Sequence, residues 1–121
     1  MTKKPETPAN LTAYVEVLGV DGAVEFFLTF GGSELYLPQD PKGGSEITRA
    51  IGVEKTKALA ARLNAMKIRV PTSKRWIAQV LNSKELPVSK IARRLHVSDV
   101  TVRKYIRGEY SQNSRQLDLF R

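Results

Sequence analysis

Apolar and polar positions along the chain alternate with two different periods, and the breaks between them fall at glycine and proline. Residues 11–18 form the first periodic segment, closed by Gly19. Over residues 21–30 the apolar positions Ala23, Val24, Phe26, Phe27 and Phe30 have helical spacing and predict a buried helix, with Asp21 as its N-cap and Gly31-Gly32 as its stop. Leu35-Tyr36-Leu37 then reads as a short strand ended by Pro38. The polar run PQDPKGGSE has the composition of a loop. No Gly-Lys-Ser/Thr follows Gly43-Gly44, so this run is a linker and not a phosphate-binding loop. Beyond Pro71, Thr72 or Ser73 is placed to cap a helix with Trp76, Ile77, Val80 and Leu81 on one face, ending near Asn82 and Ser83. The polar residues 1–10, with two prolines, read as a disordered lead-in. The predicted fold class is mainly α with short β-strands (α+β).

One segment recurs. LGVDGAVEFFLTFGGSELYLP, residues 18–38, lies without a gap over IGVEKTKALAARLNAMKIRVP, residues 51–71, so that Gly19 falls on Gly52 at a shift of 33 residues. Val20 then meets Val53, Asp21 meets Glu54, Phe30 meets Leu63, Leu35 meets Ile68, Leu37 meets Val70 and Pro38 meets Pro71. Each copy predicts a cap, a helix, a tight connection, a short strand and a proline stop. A strand this short needs a partner for its amides, so the two strands should pair with each other or with those of a second chain. Residues 11–71 thus read as a duplicated helix-strand region.

The sequence ends its periodic part with VSKIARRLHVSDVTVRKYIRG. It predicts a helix from Ser89 with Ile91, Ala92 and Leu95 inward, a turn at His96-Val97, and a second helix capped by Ser98 and ended by Gly108. A small Ala92 lets the helices cross closely, Val97 fills the turn, and Val102 with Ile106 anchors the second helix. With the helix before it, this makes residues 72–108 a helix-turn-helix unit. The turn position favours positive φ and is commonly Gly, whereas here it is His96, a residue that tolerates the left-handed region better than branched side chains do.

Charge changes the picture from fold to partner. The chain of 121 residues has a net charge of +8, but residues 5–41 contain no Lys or Arg, while residues 67–107 are strongly basic. A basic half points to a polyanion, because neutralising phosphates releases condensed counterions. The exposed side of the second helix, Ser98, Asp99, Val100, Arg103, Lys104 and Arg107, suits the major groove of double-stranded DNA. Arg103 and Lys104 are assigned to base edges, with guanine the partner of Arg103, and Arg107 to base or phosphate. Ser98, Thr101, Lys90, Arg93 and Arg94 are assigned to phosphates. There is no cysteine and His96 is the single histidine, so thiolate sites are excluded, no catalytic acid, base, nucleophile or metal set stands out, and neither an enzyme nor a cofactor is expected. No apolar run spans a bilayer and residues 1–10 lack a signal-type apolar core, so a cytoplasmic protein with no membrane partner is expected.

FGGSELYLP, the following helix and IARRLHVSDVTVRKYI together resemble the Mor family of phage middle-gene transcription activators, over roughly residues 11–108. The resemblance implies a dimerisation unit built from a helix, a Gly-Gly turn and a Tyr-containing strand ended by proline. It also implies a C-terminal helix-turn-helix that binds a promoter as a homodimer and recruits RNA polymerase, in a phage, prophage or mobile-element setting. The duplication here offers an alternative, in which the two copies pair within one chain and imitate the dimer.

Within the tail, residues 109–121, Gln116, Leu117, Asp118, Leu119 and Phe120 spell QLDLF. This is similar to the pentapeptide with which bacterial replication and repair proteins bind the sliding clamp. Leu117, Leu119 and Phe120 would fill apolar pockets and Gln116 would hydrogen-bond at the edge. The competing reading packs these side chains on the chain's own domain.

Overall fold

The computed structural model describes residues 5–38 and 44–107, whose secondary structure falls into two compact units, one within Thr7–Thr72 and one from Ser73 onward. The first holds a 3-10 turn (Ala9–Leu11), α1 (Thr12–Phe30), β1 (Glu34–Tyr36), α2 (Glu46–Ile51), α3 (Val53–Leu63) and β2 (Lys67–Arg69). The second holds α4 (Lys74–Ser83), α5 (Val88–Leu95) and α6 (Asp99–Arg107). The described residues are mainly helical with a short two-stranded antiparallel sheet, as the periodicities predict.

The duplication is visible in the backbone of the first unit. α1 is continuous in outline but broken at Gly19, whose φ of 78° and ψ of 165° nearly match the 90° and 160° of Gly52. Only glycine enters that region without strain, and it is here that each copy turns from one helix into the next. β1 and β2 pair antiparallel with Glu34 opposite Arg69, Leu35 opposite Ile68 and Tyr36 opposite Lys67. The strands of the two copies thus pair with each other. Bonds flanking the strands obey the same shift of 33 residues. Leu37 N–H donates to the Met66 carbonyl (2.6 Å) and Val70 N–H to the Ser33 carbonyl (2.9 Å). Gly31 N–H donates to the Phe27 carbonyl (2.8 Å) and Asn64 N–H to the Ala60 carbonyl (2.9 Å).

Three local expectations need correction. Asp21 is not at the N-cap position: Gly19 supplies the break, and Asp21 lies in the first helical turn that follows, near the positive helix end that favours a carboxylate. The repeat begins earlier than residues 18 and 51, because α2 is the counterpart of the first half of α1. α2 starts inside the segment whose composition reads as loop, where the Ser45 side chain caps it by accepting from Thr48 N–H at 3.3 Å. Ser73 does precede α4, but in the left-handed conformation (φ 53°) and without a side-chain capping bond.

Packing explains why both copies are needed. Tyr14, Phe26, Phe27 and Phe30 form an aromatic cluster with ring centroids 5.1 to 6.2 Å apart, in the tilted and edge-to-face arrangements that ring quadrupoles favour. Copy one provides these rings, and copy two adds buried Ile47, Leu59, Ala60 and Val70 to the core of the unit, with α1 packed on α3 and α2 on α3. Thr56 is fully buried, and its hydroxyl is satisfied by donating to the Gly52 carbonyl at 2.7 Å.

The end of α1 runs close to the segment after β2. A Cβ placed on Gly31 would lie 2.5 Å from the Phe27 carbonyl oxygen and 3.1 Å from the Thr72 Cα, both backbone atoms. We therefore expect Gly31→Ala to destabilise the fold by about 1–3 kcal/mol, seen as a lower urea midpoint at unchanged slope. An unaltered midpoint would contradict this close approach.

Candidate nucleic-acid interface

The second unit is a three-helix arrangement in which α4 packs on α5 and α6, and α5 packs on α6. α4 buries Trp76, Ile77, Ala78, Val80 and Leu81. α5 adds Ile91, Ala92 and Leu95, and α6 adds Val102 at 0% exposure. Ile106, predicted as a second anchor, is half-buried, as is Val97 in the turn. The Gln79 side-chain amide donates to the Tyr105 carbonyl at 3.0 Å, tying α4 to the far end of α6.

The turn between α5 and α6 sets the angle of the second helix. His96 ends α5 in the left-handed region (φ 58°, ψ 46°), and the amides of His96 and Val97 both donate to the Ala92 carbonyl. This closes the open end of α5 as an αL cap does. The expectation that His96 adopts positive φ holds. Ser98 then starts α6: its Oγ accepts from Thr101 N–H at 3.1 Å, and its carbonyl accepts from Val102 N–H at 3.1 Å. Asp99, in the first turn, complements the helix dipole. Glu85, between α4 and α5, is also left-handed (φ 65°), a conformation the sequence does not announce because Glu has no special tolerance for it.

With Val102 inward, the 3.6-residue period puts Asp99, Val100, Arg103, Lys104 and Arg107 on one side of α6, and all five are exposed. Ser98 is exposed beside them, and Thr101 is half-buried toward the other flank. Val100 is 57% exposed among charged neighbours. On α5, Lys90, Arg93 and Arg94 are exposed at i, i+3 and i+4 and line an open groove with Leu86. The sequence does not announce this groove, because Leu86 reads there as part of a connection. The candidate DNA-contacting residues therefore form two basic faces, one on each helix flanking the turn. Gln116, Leu117, Asp118, Leu119 and Phe120, the clamp-like motif, lie outside the described residues.

Among the described residues no cluster of three or more His, Cys, Asp or Glu is arranged to hold a metal ion, and no helix is long and apolar enough to cross a membrane. Compared with family models, curated proteins and solved structures, the chain matches none.

The N-cap of α6 can be tested directly. Ser98→Ala removes the acceptor for Thr101 N–H and should cost about 1 kcal/mol of stability, measured by thermal or denaturant unfolding. No loss relative to an exposed control such as Ser89→Ala would show that the cap does not fix the start of α6.

Proposed function

We propose that this protein binds double-stranded DNA sequence-specifically and regulates transcription, with α6 in the major groove. The observation that carries the reading is the exposed face of α6, where Val100, Arg103, Lys104 and Arg107 project opposite the buried Val102 from a helix fixed by the His96 turn and the Ser98 cap. A major groove admits a helix of this size, and arginine or lysine at its centre can take the O6 and N7 acceptors of guanine. Val100 is an apolar group held in solvent on the same face, and it suits contact with a thymine methyl. Lys90, Arg93 and Arg94 supply phosphate contacts that set orientation without reading sequence.

The resemblance to Mor-type activators supports a regulator that acts at a promoter and contacts RNA polymerase. A second reading is favoured by QLDLF at residues 116–120: a DNA-binding adaptor that docks on the sliding clamp and modulates replication. The two readings share the DNA-binding unit and differ in the partner of the tail.

Binding to a pool of random duplexes, followed by sequencing of the retained fraction, tests the shared part. The intact protein should enrich a discrete motif, and Arg103→Ala with Lys104→Ala should lose it while keeping weak, salt-sensitive binding. Two lost base contacts of this kind correspond to about 2–6 kcal/mol of discrimination. Equal, unselective binding by both proteins would overturn the assignment of α6 as a recognition helix.

A further inference from the structure

The first unit carries an approximate two-fold relation inside one chain. A shift of 33 residues carries β1 onto β2, and the register pairs Leu35 with Ile68, its own counterpart under that shift. The pseudo-two-fold axis therefore passes through this pair. Two copies related in this way have the geometry of an isologous contact, in which the same patch of each partner meets the other. One chain supplies both copies, and its described residues hold one helix-turn-helix, α5 and α6.

The copies have also diverged in a way that favours each other over themselves. Over residues 12–37 the first contains Glu16, Asp21, Glu25 and Glu34 and no Lys or Arg. Over the matching residues 45–70 the second contains Arg49, Lys55, Lys57, Arg62, Lys67 and Arg69 against Glu46 and Glu54. Arg62 pairs with Glu16, and Lys67 and Arg69 approach Glu34 at 3.9 and 3.5 Å, so these contacts all cross from one copy to the other. Such exposed pairs contribute little stability. Their effect is on choice of partner, because pairing copy one with another copy one would bring like charges together. The tether between the copies raises their effective concentration for each other far above that of a second chain. The outer edges of the sheet are three residues long, carry charged side chains and stop at Pro38 and Pro71, features that discourage further strand addition.

We propose that the protein reads DNA as a monomer with one head, and that its target is a single half-site without dyad symmetry. This rests on the DNA-binding reading above. An inverted repeat mirrors two reading heads related by a two-fold axis, and here the axis relates the two copies inside one chain.

The test is the symmetry of the selected site together with the stoichiometry of the complex. The full chain is analysed by sedimentation or light scattering, alone at micromolar concentration and bound to the duplex recovered from the random pool. Monomer mass, one chain per duplex and a motif without dyad symmetry are expected. An inverted-repeat motif, or two chains on one duplex, would overturn the single-head inference and leave DNA binding standing. A pool with no enriched motif would instead overturn the DNA-binding reading, and the inference with it.

Discussion

The pairing of Leu35 with Ile68 is the constraint on which the first unit depends. Strands of three residues have too few backbone bonds to stand alone, and neither helix pair has a complete apolar partner without the other. Pairing the strands brings the ends of α1 and α3 to the same sheet, and the bonds from Leu37 to Met66 and from Val70 to Ser33 extend that link beyond the strands. Leu37 and Val70, the residues that donate them, are themselves buried at 0% and 1% exposure. Hydrogen bonding and burial thus act on the same residues in both copies, and the repeat is held as a pair.

The second unit solves a different problem, which is to hold a polar helix at a fixed angle. α6 buries a single residue completely, Val102, so its own apolar face is a weak anchor. Its orientation comes from the left-handed His96, the two amides on the Ala92 carbonyl and the Ser98 cap at its start, and from the packing on α4 and the Gln79 bond to the Tyr105 carbonyl near its end. This leaves most of the helix surface to charged groups, and the exposed Arg103, Lys104 and Arg107 make use of it. A helix held at its start and along one edge can present side chains without being covered by the domain that carries it.

Much of this was legible in the sequence, for physical reasons that differ by element. Helical spacing of large apolar residues marks the second half of α1, α4 and α5, and the ungapped repeat places Leu35 on Ile68, its partner in the sheet register. The two helices around the His96 turn were legible because Ala92 and Val102 are buried and Ser98 caps α6. α2 was not, since six residues give barely more than one apolar period and the preceding Gly43-Gly44 suggests a loop. The N-cap position attributed to Asp21 falls instead at Gly19, two residues earlier, where the non-helical backbone makes the break. Ser73 and Glu85 adopt left-handed backbone that their side chains do not favour, so only the surrounding structure could reveal it.

The two copies close on each other within one chain, and the most direct measurement of this closure is a crosslink. The natural sequence has no cysteine, so Glu34→Cys with Arg69→Cys would place the only two thiols directly opposite each other across the sheet, a separation compatible with a disulfide. After mild oxidation, non-reducing electrophoresis and mass analysis should find one chain with an internal disulfide joining positions 34 and 69 at all protein concentrations. A product of two linked chains that grows with concentration would contradict the account.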